Sequence, residues 1–278
     1  MSEDFLDTMA RASRARVDAA RAVESEAKLF RRAFETPDPP RLALSPQGFD
    51  LIAEVKLRSP AVGKLKGGEE NVAARVADYA EAGAAAVSVL TEPTRFDGSL
   101  EHLVLASQAL AAQGAVPAMR KDFLVDPYQV AEARIAGAGG ILIILRMLTR
   151  GQIEGLVEAA ARLKLFVLAE TFDEADIALA QELVRSPVAR DLDLLVGLNS
   201  RDLVTLKVVP GRLEQLAERL PGTVPRVAES GVGSADDAAR LAAAGYDLAL
   251  VGSALMTSAD PPALLADMLR AGRAARAE

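Results

Sequence analysis

Lysine and glutamate residues lie at the ends of several apolar segments of this sequence. Glu54 and Lys56 end one such segment, and Lys121 and Glu170 end two others. A lysine can donate a proton or stabilise a developing negative charge, and a carboxylate can accept a proton. Because a charge at the edge of an apolar core must be paired or useful, these residues are candidates for acid–base chemistry on a small molecule.

Other apolar segments end in polar residues at the corresponding position. Asn199 ends one of them, with Arg201 two residues later, and Glu229 ends another. One charged residue at the end of a strand is usually only its solvated tip. Polar ends in the same place on six of eight otherwise apolar segments indicate a shared site instead.

Eight β-like segments, each followed by a helical stretch, would position these residues. They cover residues 51–55, 85–90, 116–120, 141–145, 166–169, 194–198, 224–228 and 248–251. Strands that alternate with helices predict parallel β–α–β units, and 278 residues suit one (β/α)8 TIM barrel. An open doubly wound sheet is the alternative, but it usually has a glycine-rich turn after its first strand, where this chain has Glu54-Val55-Lys56. In a barrel, all the strand ends would converge on one mouth.

The first 45 residues precede this pattern. Residues 4 to about 34 have helical spacing, and Pro37, Pro39 and Pro40 end the helix. We expect an N-terminal helical extension over residues 1–45 and a barrel over residues 46–278. The extension could cover the barrel mouth or lie on the surface as a partly frayed helix.

Two glycine–serine turns have the features of a phosphate site. Ser230-Gly231-Val232-Gly233 follows the seventh segment, and Gly252-Ser253 opens a helix after the eighth. Glycine lets the backbone approach an anion, and free amides at a helix start point toward it. The loops after strands seven and eight are the usual phosphate site of a barrel, so we expect a phosphorylated small-molecule substrate.

Composition excludes several classes of function. The formal charge of −7 disfavours nucleic-acid binding, and the absence of cysteine excludes thiolate metal sites and cysteine nucleophiles. The longest apolar run, residues 139–145, is far shorter than a membrane span, and acidic residues interrupt the N-terminal segment, unlike a transit peptide. We expect a cytoplasmic protein that binds neither membrane nor nucleic acid and acts as a monomer.

Short motifs at these strand ends resemble those of the indole-3-glycerol phosphate synthase family. The motifs are Ile52-Ala53-Glu54-Val55-Lys56 with Ser59-Pro60 and Gly63; Leu90-Thr91-Glu92 with Phe96-Asp97-Gly98-Ser99; Arg120-Lys121-Asp122-Phe123 with Asp126-Pro127-Tyr128-Gln129; Gly197-Leu198-Asn199-Ser200-Arg201-Asp202-Leu203; Val227-Ala228-Glu229-Ser230-Gly231; and Val251-Gly252-Ser253-Ala254-Leu255-Met256. The resemblance extends from about Phe5 to about Leu269.

The resemblance implies a cytoplasmic lyase of tryptophan biosynthesis that needs no cofactor or metal. Its substrate would be 1-(2-carboxyphenylamino)-1-deoxyribulose 5-phosphate, which it would cyclise with decarboxylation and dehydration to indole-3-glycerol phosphate. The resemblance makes Lys121 the general acid and Glu170 a proton-transfer partner in the dehydration. It also implies that the N-terminal helix packs over the barrel mouth.

The resemblance assigns binding roles to a larger set of residues. Lys56, Glu54, Asn199 and Glu229 would hold the substrate carboxylate, the sugar hydroxyls and the catalytic groups, and Arg201 is associated with the carboxylate. The phosphate binders would be Ser59, Ser230, Gly231, Gly252 and Ser253. The apolar lining around the aromatic ring would be Phe96, Phe123 and Leu142.

Chemistry adds two expectations for the charged residues. Lys56 and Lys121, as neighbouring cations, would lower each other's pKa and so make a better proton donor. Arg120 faces away from Lys121 and would pair with an acid outside the barrel.

The sequence departs from the family in three places. Serine is frequent where this chain has Ala61, and Val-Glu-Val-His is common where it has Ala169-Glu170-Thr171-Phe172. The connection over residues 182–193 is also long.

Two other functions are alternatives to this interpretation. A phosphoribosylanthranilate isomerase would use a Cys–Asp pair, but the chain has no cysteine. A catalytically silent binding barrel would be expected to lose Lys121 or Glu170 and keep the glycine turns, but both residues are present. The departures leave open a substrate with a modified aryl group.

Overall fold

Eight parallel strands form a closed barrel in the computed structural model, which describes residues 5–59, 63–64, 70–114 and 116–277. The strands are β1 (Asp50–Val55), β2 (Ala86–Leu90), β3 (Ala118–Lys121), β4 (Gly140–Ile144), β5 (Phe166–Thr171), β6 (Leu194–Asn199), β7 (Arg226–Glu229) and β8 (Leu248–Val251). Each strand pairs with its sequence neighbours, and β8 closes on β1 through pairs such as Ile52 with Leu250. The TIM barrel is therefore confirmed, and the open sheet is excluded.

Two helices precede the strands, and the remaining helices alternate with the strands around the outside of the barrel. They are α1 (Phe5–Val23), α2 (Glu26–Glu35), α3 (Val72–Glu81), α4 (Leu100–Ala111), α5 (Pro127–Ile135), α6 (Arg150–Arg162), α7 (Glu174–Arg185), α8 (Arg212–Leu216), α9 (Ala235–Ala243), α10 (Ser253–Thr257) and α11 (Pro261–Ala277). After β1, two short strands of two residues each, Arg58–Ser59 and Gly63–Lys64, pair in antiparallel orientation.

Side-chain caps explain where many of these helices begin. The caps are Asn71, Ser99, Asp126, Thr149, Asp173 and Ser234, and each accepts a hydrogen bond from a first-turn amide of its own helix. Such a cap satisfies an amide that has no partner within the helix. The caps therefore fix the places where the chain turns from the barrel mouth into a helix.

Alternation along the strands separates the interior of the barrel from the layer between strands and helices. Ile52 and Glu54 of β1 face inward, whereas Ala53 and Val55 pack among the residues of the outer layer. The inner cluster fills the lower barrel with apolar side chains such as Met119, Phe166 and Leu195. Charged side chains can therefore occupy only the upper part of the interior, at the carboxyl ends of the strands.

The N-terminal segment forms two helices, and the prediction of a single helix was wrong. The chain breaks between α1 and α2 at Ser25, which has an extended backbone with ψ of 147°. Leu6 and Met9 of α1 pack with the inner barrel cluster, so this helix lies at the mouth. The division of the chain at residue 45 stays a prediction.

Polar contacts attach α1 to the loop that follows β3. Arg16 donates to Asp122 at 2.6 Å, and Arg21 donates to Asp126 at 2.7 Å. The hydroxyl of Tyr128 donates toward the carbonyl oxygens of residues 20 and 24 at 3.2 and 3.0 Å. Asp122 directly follows Lys121, the last residue of β3, and precedes Phe123, so α1 is tied to the residues next to the central lysine. None of the described helices has the length and hydrophobicity that crossing a bilayer requires.

Candidate active site

A lysine lies between two glutamates at the centre of the barrel mouth. Lys121 Nζ is 3.5 Å from Glu170 Oε1 and 3.5 Å from Glu229 Oε2. These residues, called here the lysine cluster, come from β3, β5 and β7. Alternate strands of a barrel contribute side chains to the same interior layer, which explains why residues so distant in sequence meet. The predicted convergence of Lys121 and Glu170 is confirmed.

Asn199 fixes the orientation of the Glu170 carboxylate. Its Nδ2 donates to Glu170 Oε1 at 2.7 Å, and its Oδ1 accepts from the backbone amide of Arg201 at 2.9 Å. The Arg201 guanidinium donates to the carbonyl oxygen of Leu206 at 2.7 Å, within the loop after β6. The sixth strand therefore brings an amide and a guanidinium to the same mouth.

Glu54 and Lys56 form a second ion pair at the end of β1. Lys56 Nζ donates to Glu54 Oε1 at 2.6 Å, and both side chains are largely buried. Burial opposes ionisation of Glu54, but Lys56 and Lys121 outweigh it and hold the pKa of this carboxyl below its usual range. Glu54 is therefore a fixed negative charge beside the lysine cluster.

Surrounding carboxylates hold the proton on Lys121. Burial alone would lower the pKa of this lysine, but Glu170, Glu229 and Glu54 together raise it above its usual value. The prediction that neighbouring cations depress the pKa of Lys121 was therefore wrong, because the attraction of three acids outweighs any repulsion from Lys56. The surroundings of Lys121 therefore favour its charged ammonium form.

Glu229 is the member of the cluster that favours its neutral form. Burial and the proximity of Glu170 raise its pKa well above the usual range, and the attraction of Lys121 only partly opposes this shift. Among the described residues, neither of its buried carboxylate oxygens has a hydrogen-bond partner. The cluster thus combines a charged lysine with a carboxyl group that tends to hold a proton.

The cluster opens into a cavity of about 550 Å³ with an apolar side. This side, the aryl wall, is formed by Phe5, Leu6, Phe96, Phe123, Leu142, Ile144 and Phe172. Phe123 is its centre, since its ring lies 5.8 Å from that of Phe5 and 6.1 Å from that of Phe96. All three predicted ring contacts therefore line one cavity. The other four wall residues, Phe5, Leu6, Ile144 and Phe172, were not predicted as lining, although Phe172 was noted as a departure.

Glycine and serine residues form the other side of the same cavity. This side, the phosphate rim, consists of Ser230, Gly231, Gly252 and Ser253. Gly231 has φ of 74°, a left-handed conformation that glycine adopts without strain. In the aryl wall, Leu142 and Ile144 lie on β4 and Phe123 follows β3, and these two strands are four positions around the closed barrel from β8 and β7, respectively. The two sides therefore face each other across the lysine cluster.

Some predicted residues play a different or undescribed part. The amide of Gly233 donates to Asp237 Oδ2 at 2.9 Å and so belongs to the start of α9. Arg120 is buried and pairs with Asp122 and with Glu132 of α5, as predicted for a residue that faces outward. The side chain of Ser59 and all of Ala61 lie outside the described residues.

Comparisons with known proteins agree with the sequence motifs. The family model described as indole-3-glycerol phosphate synthase matches residues 6–268. The chain is 40% identical over 276 residues to an indole-3-glycerol phosphate synthase of Mycolicibacterium smegmatis, covering 98% of this chain and 96% of the relative. It is 38% identical over 278 residues to the enzyme of that name from Mycobacterium leprae, covering 96% and 94% of the two chains.

Solved structures with low sequence identity share the fold. A tryptophan synthase chain from M. tuberculosis superposes with a TM-score of 0.59 at 17% identity, over 83% of this chain and 100% of that one. A thiamine phosphate pyrophosphorylase from Pyrococcus furiosus gives a TM-score of 0.57 at 16% identity, over 83% and 99% of the two chains.

Proposed function

The chain belongs to the indole-3-glycerol phosphate synthase family, and we propose that its lysine cluster closes the indole ring of 1-(2-carboxyphenylamino)-1-deoxyribulose 5-phosphate. The reaction releases carbon dioxide and water and leaves indole-3-glycerol phosphate. One observation carries this assignment: Lys121 lies between two glutamates, with an apolar wall on one side and glycine turns on the other.

The two faces of the cavity match the two ends of this substrate. The phosphate binds at the phosphate rim, where backbone amides at the starts of turns and helices favour an anion. The aromatic ring packs on the aryl wall. Holding both ends bends the sugar chain so that the reacting carbons meet beside Lys121, and the binding energy of the remote phosphate supports this folded geometry.

Carbon–carbon bond formation depends on the ammonium of Lys121. The ring carbon that bears the carboxylate attacks the ketone carbon, and the carbonyl electron pair moves to the ketone oxygen. Lys121 stabilises the charge on this oxygen and transfers a proton to it. A lysine whose pKa is raised remains protonated until such an oxyanion develops, so it is charged at the moment when it is needed.

Decarboxylation and dehydration complete the ring. The bond from the ring carbon to the carboxylate breaks, its electrons restore the aromatic ring, and carbon dioxide leaves. Lys121 regains a proton from solvent and transfers it to the new hydroxyl, which leaves as water, and the adjacent carbon loses a proton to form the double bond. Glu170, oriented by Asn199, accepts this proton. Arg201, Lys56 and Glu54 hold the carboxylate and hydroxyls before these steps.

Replacing the ammonium without shortening the side chain tests this assignment. Lys121→Met keeps the apolar length of the side chain, and we expect kcat to fall by about 10²–10⁴-fold, as for loss of a positioned acid. Turnover is followed by the rise of indole fluorescence with the anthranilate-derived substrate.

Controls separate this proposal from other outcomes. Circular dichroism and thermal unfolding establish that the variant is folded, and Arg14→Met, on the exposed side of α1, should keep wild-type turnover. Normal turnover by Lys121→Met would remove the assigned role. Phosphate-dependent binding by the wild-type chain without any turnover would indicate a silent binding barrel.

The same proposal covers the setting in which the enzyme works. We propose a cytoplasmic monomer whose substrate is a phosphorylated small molecule, and the net charge of −7 is consistent with no affinity for nucleic acid. Sedimentation equilibrium across a range of protein concentrations measures the oligomeric state. A mass of about two chains would replace the monomer with a dimer.

A further inference from the structure

Two buried carboxylates at the barrel mouth lie directly against glycines on neighbouring strands. A Cβ atom added to Gly197 of β6 would collide with Glu229 Oε1, and one added to Gly252 would collide with Glu54 Oε1. Both glycines face the interior, so the clash would be with the site rather than with the outer helices. A strand position without a side chain commonly marks such a close approach.

We propose that Gly197 is a positioning residue, whose missing side chain forms the seat of the Glu229 carboxylate beside Lys121. The inference rests on the proposed function, because it concerns how the lysine cluster of that reaction is held. Gly197 does not touch the reacting atoms; it acts through Glu229.

Few polar groups hold the Glu229 carboxylate in place. Its carboxylate is buried, and among the described residues neither oxygen has a hydrogen-bond partner. The ion pair of Oε2 with Lys121 at 3.5 Å is long. Lys121 and the neighbouring Glu170 are the polar groups beside this carboxylate, and the surface at Gly197 limits how far Oε1 can move.

The register of the strands places Gly197 beneath this carboxylate. Gly197 is paired with Glu170 of β5 and with Val227 of β7, and Asn199, two residues further on, is paired with Glu229. Gly197 thus lies on the strand between those that carry Glu170 and Glu229, one inward-facing position below the residue paired with Glu229. A Cβ at this position would also approach Leu168 Cδ1 to 3.1 Å, so a side chain there would have no free space to enter.

The two oxygens of Glu229 have different neighbours, which gives the substitution a direction. Oε1 faces Gly197, and Oε2 faces Lys121. A methyl group at position 197 would push against Oε1 and drive the carboxylate toward the lysine. The Lys121–Glu229 attraction would strengthen, the lysine would be drawn from its place between the two glutamates, and Glu229 would ionise at lower pH.

Gly252 repeats the arrangement for the Glu54–Lys56 pair. A Cβ added to Gly252 would also lie 2.9 Å from Lys56 Nζ. Gly252 therefore makes room for an ion pair in addition to its proposed contact with phosphate. Because its substitution would disturb both, Gly197 is the cleaner position for an experiment.

The experiment measures kcat and KM of Gly197→Ala from pH 5 to pH 10 with the anthranilate-derived substrate. We expect kcat to fall about a hundredfold, as for a displacement of about 1 Å in a catalytic group. KM should change less than about threefold, because the aryl wall and phosphate rim are not touched. The limb of the kcat profile that reports Glu229 should move to lower pH.

Gly140→Ala is the matched control for overpacking. Gly140 is also an inward-facing strand glycine, and an added Cβ there would collide with the ring of Phe166, far below the cluster. We expect both variants to unfold at lower temperature, and Gly140→Ala to keep the wild-type kcat and pH profile in its folded fraction. Gly151→Ala in α6, where no atom lies within 4 Å of the added group, controls for alanine itself.

A double variant keeps the proposal testable if Gly197→Ala is poorly stable. Glu229→Asp withdraws the carboxylate by one methylene and should make room for the added methyl group. We expect the Glu229→Asp change to reduce kcat strongly in the wild-type chain but little in the Gly197→Ala background, since coupled residues are not additive. Strictly multiplicative losses, or wild-type kcat in Gly197→Ala, would overturn the proposal. Absence of turnover in the wild-type chain would instead refute the proposed function.

Discussion

Glu229 is buried, its pKa is raised, and it has few polar contacts. Its protonation therefore affects the stability of the fold as well as the chemistry of the site. In the unfolded chain this carboxyl releases its proton near its ordinary pKa of 4.5, whereas the folded protein retains the proton to higher pH. Between these two pKa values the unfolded state binds fewer protons, so the free energy of unfolding decreases as pH rises.

Glu229→Gln should therefore remove a pH-dependent loss of stability. We expect the free energy of unfolding of the variant to increase relative to that of the wild type as pH rises from 4.5 to the folded pKa of Glu229. The increase is about 1.4 kcal/mol for each pH unit between the two pKa values. Thermal unfolding at pH 4 and pH 8 measures the gain. Glu158→Gln on the exposed face of α6 is the control, and an equal effect of both variants at both pH values would contradict the prediction.

Sequence predicted which residues meet at the site but not their protonation. The positions of Lys121, Glu170 and Asn199 follow from one rule, that strand ends converge at the barrel mouth. The pKa of Lys121 depends on the balance of all nearby charges, and that balance exists only in the folded site. One cation, Lys56, was visible in the motif, whereas the approach of Glu54 and Glu229 to Lys121 was not.

Helix α1 is the element whose position matters most for the cavity without carrying a reacting group. Phe5 and Leu6 at its start line the aryl wall, and Arg16 in its middle bonds to buried Asp122, next in sequence to Lys121. Arg16 is also 3.6 Å from Glu92, which is completely buried. Ionic contacts of Arg16 and Arg21 therefore fix the helix to the loop that follows Lys121 and contains Phe123.

Arg16→Met should loosen this attachment while keeping the apolar length of the side chain. We expect a loss of about 1–2 kcal/mol of stability, because Asp122 keeps its bonds to Thr91, Arg120 and the Phe123 amide but loses a charged partner. KM should rise more than kcat falls, since the aryl wall is displaced and the lysine cluster is not. Urea unfolding and steady-state kinetics test this, with exposed Arg14→Met as the control. Unchanged KM would show that α1 stays in place without the contact.

Element boundaries were predictable where side chains mark them. Pro127 follows the Asp126 cap, and this pair of residues marks the start of α5 in the sequence itself. The break at Ser25 was missed because the helical spacing continues on both sides of it, and this serine makes no capping bond. Phe172 was not predicted as a wall residue, although it lies two residues after inward-facing Glu170 and therefore on the same side of the chain.

The whole molecule should respond to ligand through the phosphate rim. A ligand that binds only the folded state stabilises it by about 2.7 kcal/mol at a free concentration about a hundred times its Kd. Indole-3-glycerol phosphate should therefore raise Tm by several degrees, and the same compound without phosphate should raise it much less. Equal shifts for the two compounds would place the binding energy on the aryl wall and contradict the assignment of the rim.

The closed ring of strands ties the onset of activity to its eighth strand, which is synthesised after every residue of the lysine cluster. The three residues of the lysine cluster come from the third, fifth and seventh strands, and β8 must still pair with β1 before the ring is complete. A nascent chain without β8 has every reacting group but no closed mouth to hold them. Translation intermediates should thus be inert until the final strand emerges, and catalysis by a stalled nascent chain would report the moment at which the ring shuts.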